Sequence, residues 1–109
     1  MARILIIDPN EGNAKALALA LERHRYSVTV CTEGRDVIDV LKRDRAGFDA
    51  IVLDLTANRP EDWATFDHIR KIAWVIPHTP RIVCFSTVNR GPQMKLKVER
   101  KGGRFTYEQ

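Results

Sequence analysis

Phe48-Asp49-Ala50-Ile51-Val52-Leu53-Asp54-Leu55 contains four consecutive apolar residues, bounded by aspartates. A strand that is apolar on both faces belongs in a parallel sheet covered by helices on each side. Ile4-Leu5-Ile6-Ile7 upstream reads the same way and stops at Asp8-Pro9-Asn10. Between them, residues 13–24 have helical spacing, with Ala14, Leu17 and Leu21 on one face, Ala18 beside them and Asn10 as N-cap. Residues 26–31 alternate through Val28 and Val30 as a strand. Residues 34–43 form a second helix, turning Val37, Ile38 and Leu41 inward, and Gly47 breaks the pattern. Downstream, Pro60 suits the first position of a helix, Glu61 and Asp62 complement its positive end, and Trp63, Phe66, Ile69 and Ala73 face inward. Pro77 and Pro80 separate that helix from a fourth strand at residues 81–85. A short basic helix over 93–101 ends at Gly102-Gly103, and residues 104–107 form a last strand.

Strands alternating with helices imply right-handed crossovers and a parallel sheet with helices on both faces. In such sheets ligands bind beyond the carboxyl ends of the strands, where strand order reverses. Two strands end in a carboxylate there, Asp8 and Asp54, and Ser86 follows the fourth. If the first and third strands are neighbours, the two acids converge. A carboxylate pair suits a hard cation such as magnesium, which keeps part of its water. Asp8 before Pro9 also fits ordinary turn chemistry. Asp54 does not, because an unpaired charge among leucines is costly.

With 109 residues, 44% hydrophobic and 29% charged, the chain is expected to form a single domain over residues 1–109. No apolar stretch is long enough to span a bilayer, and no signal peptide is recognisable, so a cytoplasmic location is expected. The net charge of +4 is concentrated late, at Arg90, Lys95, Lys97, Arg100, Lys101 and Arg104. No nucleic-acid motif accompanies it, so a solvated face is expected rather than a nucleic-acid contact. His24, His68 and His78 lack ligand spacing. Cys31 and Cys84 are expected to be buried thiols.

Ile4-Leu5-Ile6-Ile7-Asp8, Phe48 to Leu55, Ile82-Val83-Cys84-Phe85-Ser86 and Lys101-Gly102-Gly103-Arg104-Phe105 together resemble the receiver domain of bacterial two-component response regulators. The resemblance implies a flavodoxin-like, doubly wound α/β fold with a five-stranded parallel sheet of order 2-1-3-4-5. It also implies that Asp54 accepts a phosphoryl group from a histidine kinase. Asp8, Asp54 and the backbone carbonyl of Thr56 would then hold magnesium, and Ser86 would be the switch hydroxyl, followed by Thr87. In that strand order Cys31 and Cys84 lie on strands that are not neighbours, too far apart for a disulfide.

The departures from the family pattern point toward a degenerate member. Pro9 stands where a second metal-binding acid is usual, with Asn10 and Glu11 the nearest stand-ins. Thr87 replaces the usual alanine, and Glu108 or Gln109 stands near the place of a neutralising lysine. The loop after Asp54 lacks the usual landmarks, and the C-terminal fifth helix is expected to be missing. Phosphoryl transfer depends on electrostatic clamps, so their loss predicts weakened or lost phosphorylation at Asp54. The expected function is a signalling module, not an enzyme, acting through protein contacts. A Mg-dependent aspartyl phosphoacceptor is the alternative, and a small-ligand-binding flavodoxin-like domain the second. The latter lacks a glycine-rich phosphate loop, since residues 8–13 contain only Gly12. Without a fifth helix, apolar surface near Leu17, Leu21 and the last strand should be left open, which predicts a homodimer or another signalling protein docked there.

Overall fold

The computed structural model describes residues 2–44, 47–55, 59–73, 80–86 and 104–107. Strands β1 (Arg3–Ile7), β2 (Ser27–Cys31), β3 (Ala50–Asp54) and β4 (Arg81–Ser86) form a parallel sheet in the order β2-β1-β3-β4. Helices α1 (Glu11–Arg23), α2 (Gly34–Arg43) and α3 (Pro60–Ala73) connect them. Order reverses at β1, since the chain runs outward to β2 and then returns to β3 on the other side. Ile7 lies opposite Cys31 on one flank and Leu53 on the other. Cys31 and Cys84 are therefore separated by two intervening strands, and both are free, buried thiols.

Alternate residues of the buried strands face opposite layers. Leu5, Ile7, Ile51, Leu53, Ile82 and Cys84 point to the side that receives Val37 and Leu41 of α2 and Trp63, Phe66 and Ile69 of α3. Phe48 and Leu55 close this core, and Trp63 meets Phe66 edge to face with ring centroids 6.1 Å apart. Among the described residues, the opposite side is thinner. Ile4 and Ile6 are buried under Ala14 and Ala18 of α1, with Leu17, Leu21, Val28, Ala50 and Val52 half-buried around them. Small residues on α1 let its backbone come close to the sheet.

The helix boundaries follow from their caps. Asn10 accepts a hydrogen bond from the Asn13 amide at 3.0 Å, so α1 begins at Glu11, two residues before the sequence pattern suggested. At its other end the Tyr26 amide bonds the Leu21 carbonyl, and Arg25 takes a left-handed φ of 67°. That turn delays β2 to Ser27. In α2, Val37 and Leu41 are buried as expected, Ile38 is half-buried and Val40 packs against the core. At Gly34 the first turn of α2 lies directly against α3, where an added Cβ would overlap the Thr65 hydroxyl.

The amino ends of the strands are tied by Arg3. Its guanidinium makes a bidentate pair with Asp44, bonds the Gly47 carbonyl at 2.8 Å and lies 5.1 Å over the Phe48 ring. The Asp49 amide bonds the Arg3 carbonyl, and the Arg81 amide bonds the Asp49 carbonyl. This edge is anchored, and the opposite edge presents the charged groups considered next. Among the described residues, no helix is long and apolar enough to cross a membrane. The expected helix over 93–101 lies outside the described residues, as do His78, Glu108 and Gln109.

Candidate functional site

Asp8 directly follows β1 and Asp54 is the last residue of β3. Since Ile7 and Leu53 are register partners, the two carboxylates emerge side by side at the carboxyl edge. They are 2% and 8% exposed, which is exceptional for acids. The Asp8 amide bonds the Cys31 carbonyl at 3.1 Å, which holds its backbone in line with the sheet. Its Oδ1 accepts from the Asn10 amide at 2.8 Å. Burial pushes the Asp8 carboxyl above the usual carboxylate range. The Asn10 amide opposes that shift, while the charge of Asp54, a hydrogen bond shared with it and the charge of Asp62 add to it.

Asp62 is a third buried acid, and sequence reasoning had treated it only as a complement to the helix dipole. It occupies the third position of α3 and reaches back over the helix start. Its Oδ2 accepts from the Arg59 amide at 3.3 Å and from Arg59 Nε at 3.4 Å, and its Oδ1 accepts from Arg59 Nη2 at 3.0 Å. The pair holds the Arg59 guanidinium above its usual pKa, with smaller contributions from the charges of Glu61 and Asp54. An acid three residues after a helix-preceding residue is a known N-terminal signature, and here it was the available signal. Nothing in the spacing alone showed that this pair would face Asp8 and Asp54.

A cavity of about 340 Å³ opens between the first turns of α2 and α3. Ile7 and Leu53, the residues just before the two site acids, line it together with Pro9, Arg59, Asp62 and Thr65.

The expected stand-ins for a second metal acid are engaged elsewhere. Asn10 caps α1, and Glu11 is exposed and faces Lys15 at 3.7 Å. Pro9 lines the cavity without a side-chain donor. Ser86 is the terminal residue of β4, one position beyond the Phe85 that pairs with Asp54. Thr56 and Thr87 lie outside the described residues. Among the described residues, no group of three or more His, Cys, Asp and Glu side chains converges closely enough for a metal ion. The Asp8 and Asp54 pair fits a cation that needs few protein ligands. Magnesium, held by one or two carboxylates plus water, is such a cation, and it would relieve the repulsion between two buried acids.

No family model matches the sequence, and no curated protein matches it either. Solved structures do. A two-component response regulator from Clostridium difficile is 25% identical with a TM-score of 0.76, covering 98% of this chain and 81% of that one. The receiver domain of the Francisella response regulator 1452 is 15% identical with a TM-score of 0.79, covering 98% and 84%. A Burkholderia pseudomallei response regulator solved with a phosphorylated aspartic acid, calcium ion and citrate is 20% identical with a TM-score of 0.78, covering 100% and 60%. The sheet order and the crossover helices agree with these comparisons: the chain has the fold of response regulator receiver domains.

Proposed function

We propose that the chain is a receiver module of a two-component system, a signalling element and not an enzyme, in which Asp54 accepts a phosphoryl group with reduced efficiency. The observation that supports this best is the meeting of two buried carboxylates, Asp8 and Asp54, at the point where strand order reverses. Asp8, Asp54 and the backbone carbonyl of Thr56 would hold magnesium. When bound, that ion neutralises charge on the incoming phosphoryl oxygens. Asp54 supplies the attacking oxygen. Asp8 has its backbone pinned to β2 and one oxygen fixed by the Asn10 amide, so it presents a preset partner beside the reacting carboxylate. Pro9 adds no side-chain oxygen, so the ion would have few protein ligands and transfer would be slow. The phosphodonor partner is a histidine kinase, and the compartment is the cytoplasm.

Residues 104–107 support the remainder of the fold. They run parallel to β4, with Arg104 opposite Val83 and Tyr107 opposite Ser86, as the fifth strand of a 2-1-3-4-5 sheet. Ser86, the last residue of β4, would be the switch hydroxyl, with Thr87 following it in sequence. A homodimer is proposed on the α1 side, where Leu17, Leu21, Val52 and Val83 are only half-buried and Leu19 is 59% exposed.

Incubation with magnesium and acetyl phosphate, followed by intact-mass spectrometry, tests the phosphoacceptor reading. A slow, substoichiometric adduct that vanishes in Asp54→Ala is expected. No adduct at any donor concentration would leave only a receiver working through protein contacts.

A further inference from the structure

The adduct on Asp54 would carry roughly two negative charges at neutral pH. It would sit beside Asp8 and Asp62, both acidic and both buried. Such a group needs a cation that can reach it, because phosphoryl transfer is governed by positioned charge. The described part of the cavity wall holds two arginines. Arg35 is exposed and paired with Glu33. Arg59 is placed differently. Its backbone is fixed at the start of α3, where the Asp62 and Trp63 amides bond its carbonyl. Its side chain is 47% exposed and lies against Asp62, which is 9% exposed. It borders the same cavity as Leu53, the residue before Asp54. The field of Asp54 already contributes to holding Arg59 charged.

We propose that Arg59 is the neutralising cation of this site: its guanidinium leaves Asp62 and turns onto the phosphoryl oxygens when Asp54 is modified. This rests on the reading of Asp54 as phosphoacceptor. In the step itself, an Asp54 carboxylate oxygen attacks phosphorus of an acyl phosphate. The new O–P bond forms as the bond to the carboxylate leaving group breaks, and that group departs with the electron pair. In the resting state Arg59 offsets one negative charge on Asp62. After transfer the larger charge lies on Asp54, and the planar guanidinium can bond two phosphoryl oxygens at once. A half-exposed side chain anchored at one end can make that exchange without moving α3. Asp62 thus serves as the holding position that keeps the cation near the cavity before modification.

The test compares labelling by acetyl phosphate in the wild type, Arg59→Gln, Arg59→Ala, Arg59→Lys and Asp54→Ala, with thermal unfolding as the folding control. Arg59→Gln keeps a hydrogen bond to Asp62 and removes the charge, so it remains informative if Arg59→Ala folds poorly. Loss of one charge-stabilising donor predicts labelling slowed about 100-fold in Arg59→Gln. Arg59→Lys should recover part of that loss, because it restores charge without the paired donors. Labelling of Arg59→Gln at the wild-type rate, with the adduct still lost in Asp54→Ala, overturns the role of Arg59 and leaves the phosphoacceptor intact. No adduct on the wild type overturns both.

Discussion

At Asp8 the proposed site and the stability of the fold pull in opposite directions. The side chain is buried, faces two other acids, and holds its proton more tightly than an ordinary carboxylate because charging it there is unfavourable. Asp8→Asn keeps an oxygen for the Asn10 amide and removes the charge. In metal-free buffer this substitution should raise the thermal unfolding midpoint, while the shift produced by added magnesium in the wild type should disappear. Calorimetry with and without the ion checks both. Cys84 gives the pH counterpart. Complete burial pushes its thiol up to about 12. An unfolded thiol ionises near about 8.5, so above that pH the unfolded state releases a proton that the folded state keeps. Stability should therefore fall as pH rises from about 9 toward 12, and Cys84→Ala should flatten that decline. At pH 8 the native Cys84 should resist iodoacetamide and the denatured one should react.

At the level of elements, the contact between α2 and α3 frames the cavity, and Gly34 is its tightest point. Gly34→Ala would drive a methyl group into the Thr65 hydroxyl, which donates to the Glu61 carbonyl at 3.0 Å in the turn carrying Asp62. Overpacking of this kind costs about 1–3 kcal/mol. The double variant Gly34→Ala, Thr65→Ala should recover most of it, and urea titration of the cycle measures the coupling. The elements themselves were largely legible. β1 and β3 are apolar on both faces, so their type and parallel setting followed from composition alone. α2 and α3 were bounded by Gly34 and Pro60. The start of α1 was misplaced by two residues, although Asn10 had been recognised as its cap. Asp8 and Asp54 could be named because each ends a strand of the reversing pair. Arg59 and Asp62 could not, because their place in the site depends on how α3 sits over the sheet. Linear spacing reports the helix and its cap and carries no information on that placement.

At the scale of the molecule, the described residues cover the two sides of the sheet unequally. Phe66 is fully buried in the larger layer, and Phe66→Ala should cost about 3–5 kcal/mol. On the thin side, sedimentation velocity at micromolar concentration should show a dimer that Leu19→Glu weakens. The same inequality bears on how the protein loosens. α1 is held by two alanines over Ile4 and Ile6, with its leucines only half-covered. Regions with few buried apolar contacts open at lower free energy than the rest. Amide exchange should therefore be quickest to reach the first helix through partial opening, while β1 and β3 exchange only when the entire domain melts. The helix that carries the cap next to Asp8 would then act as the fold's loosest shutter, and tethering it to a second subunit would slow that breathing.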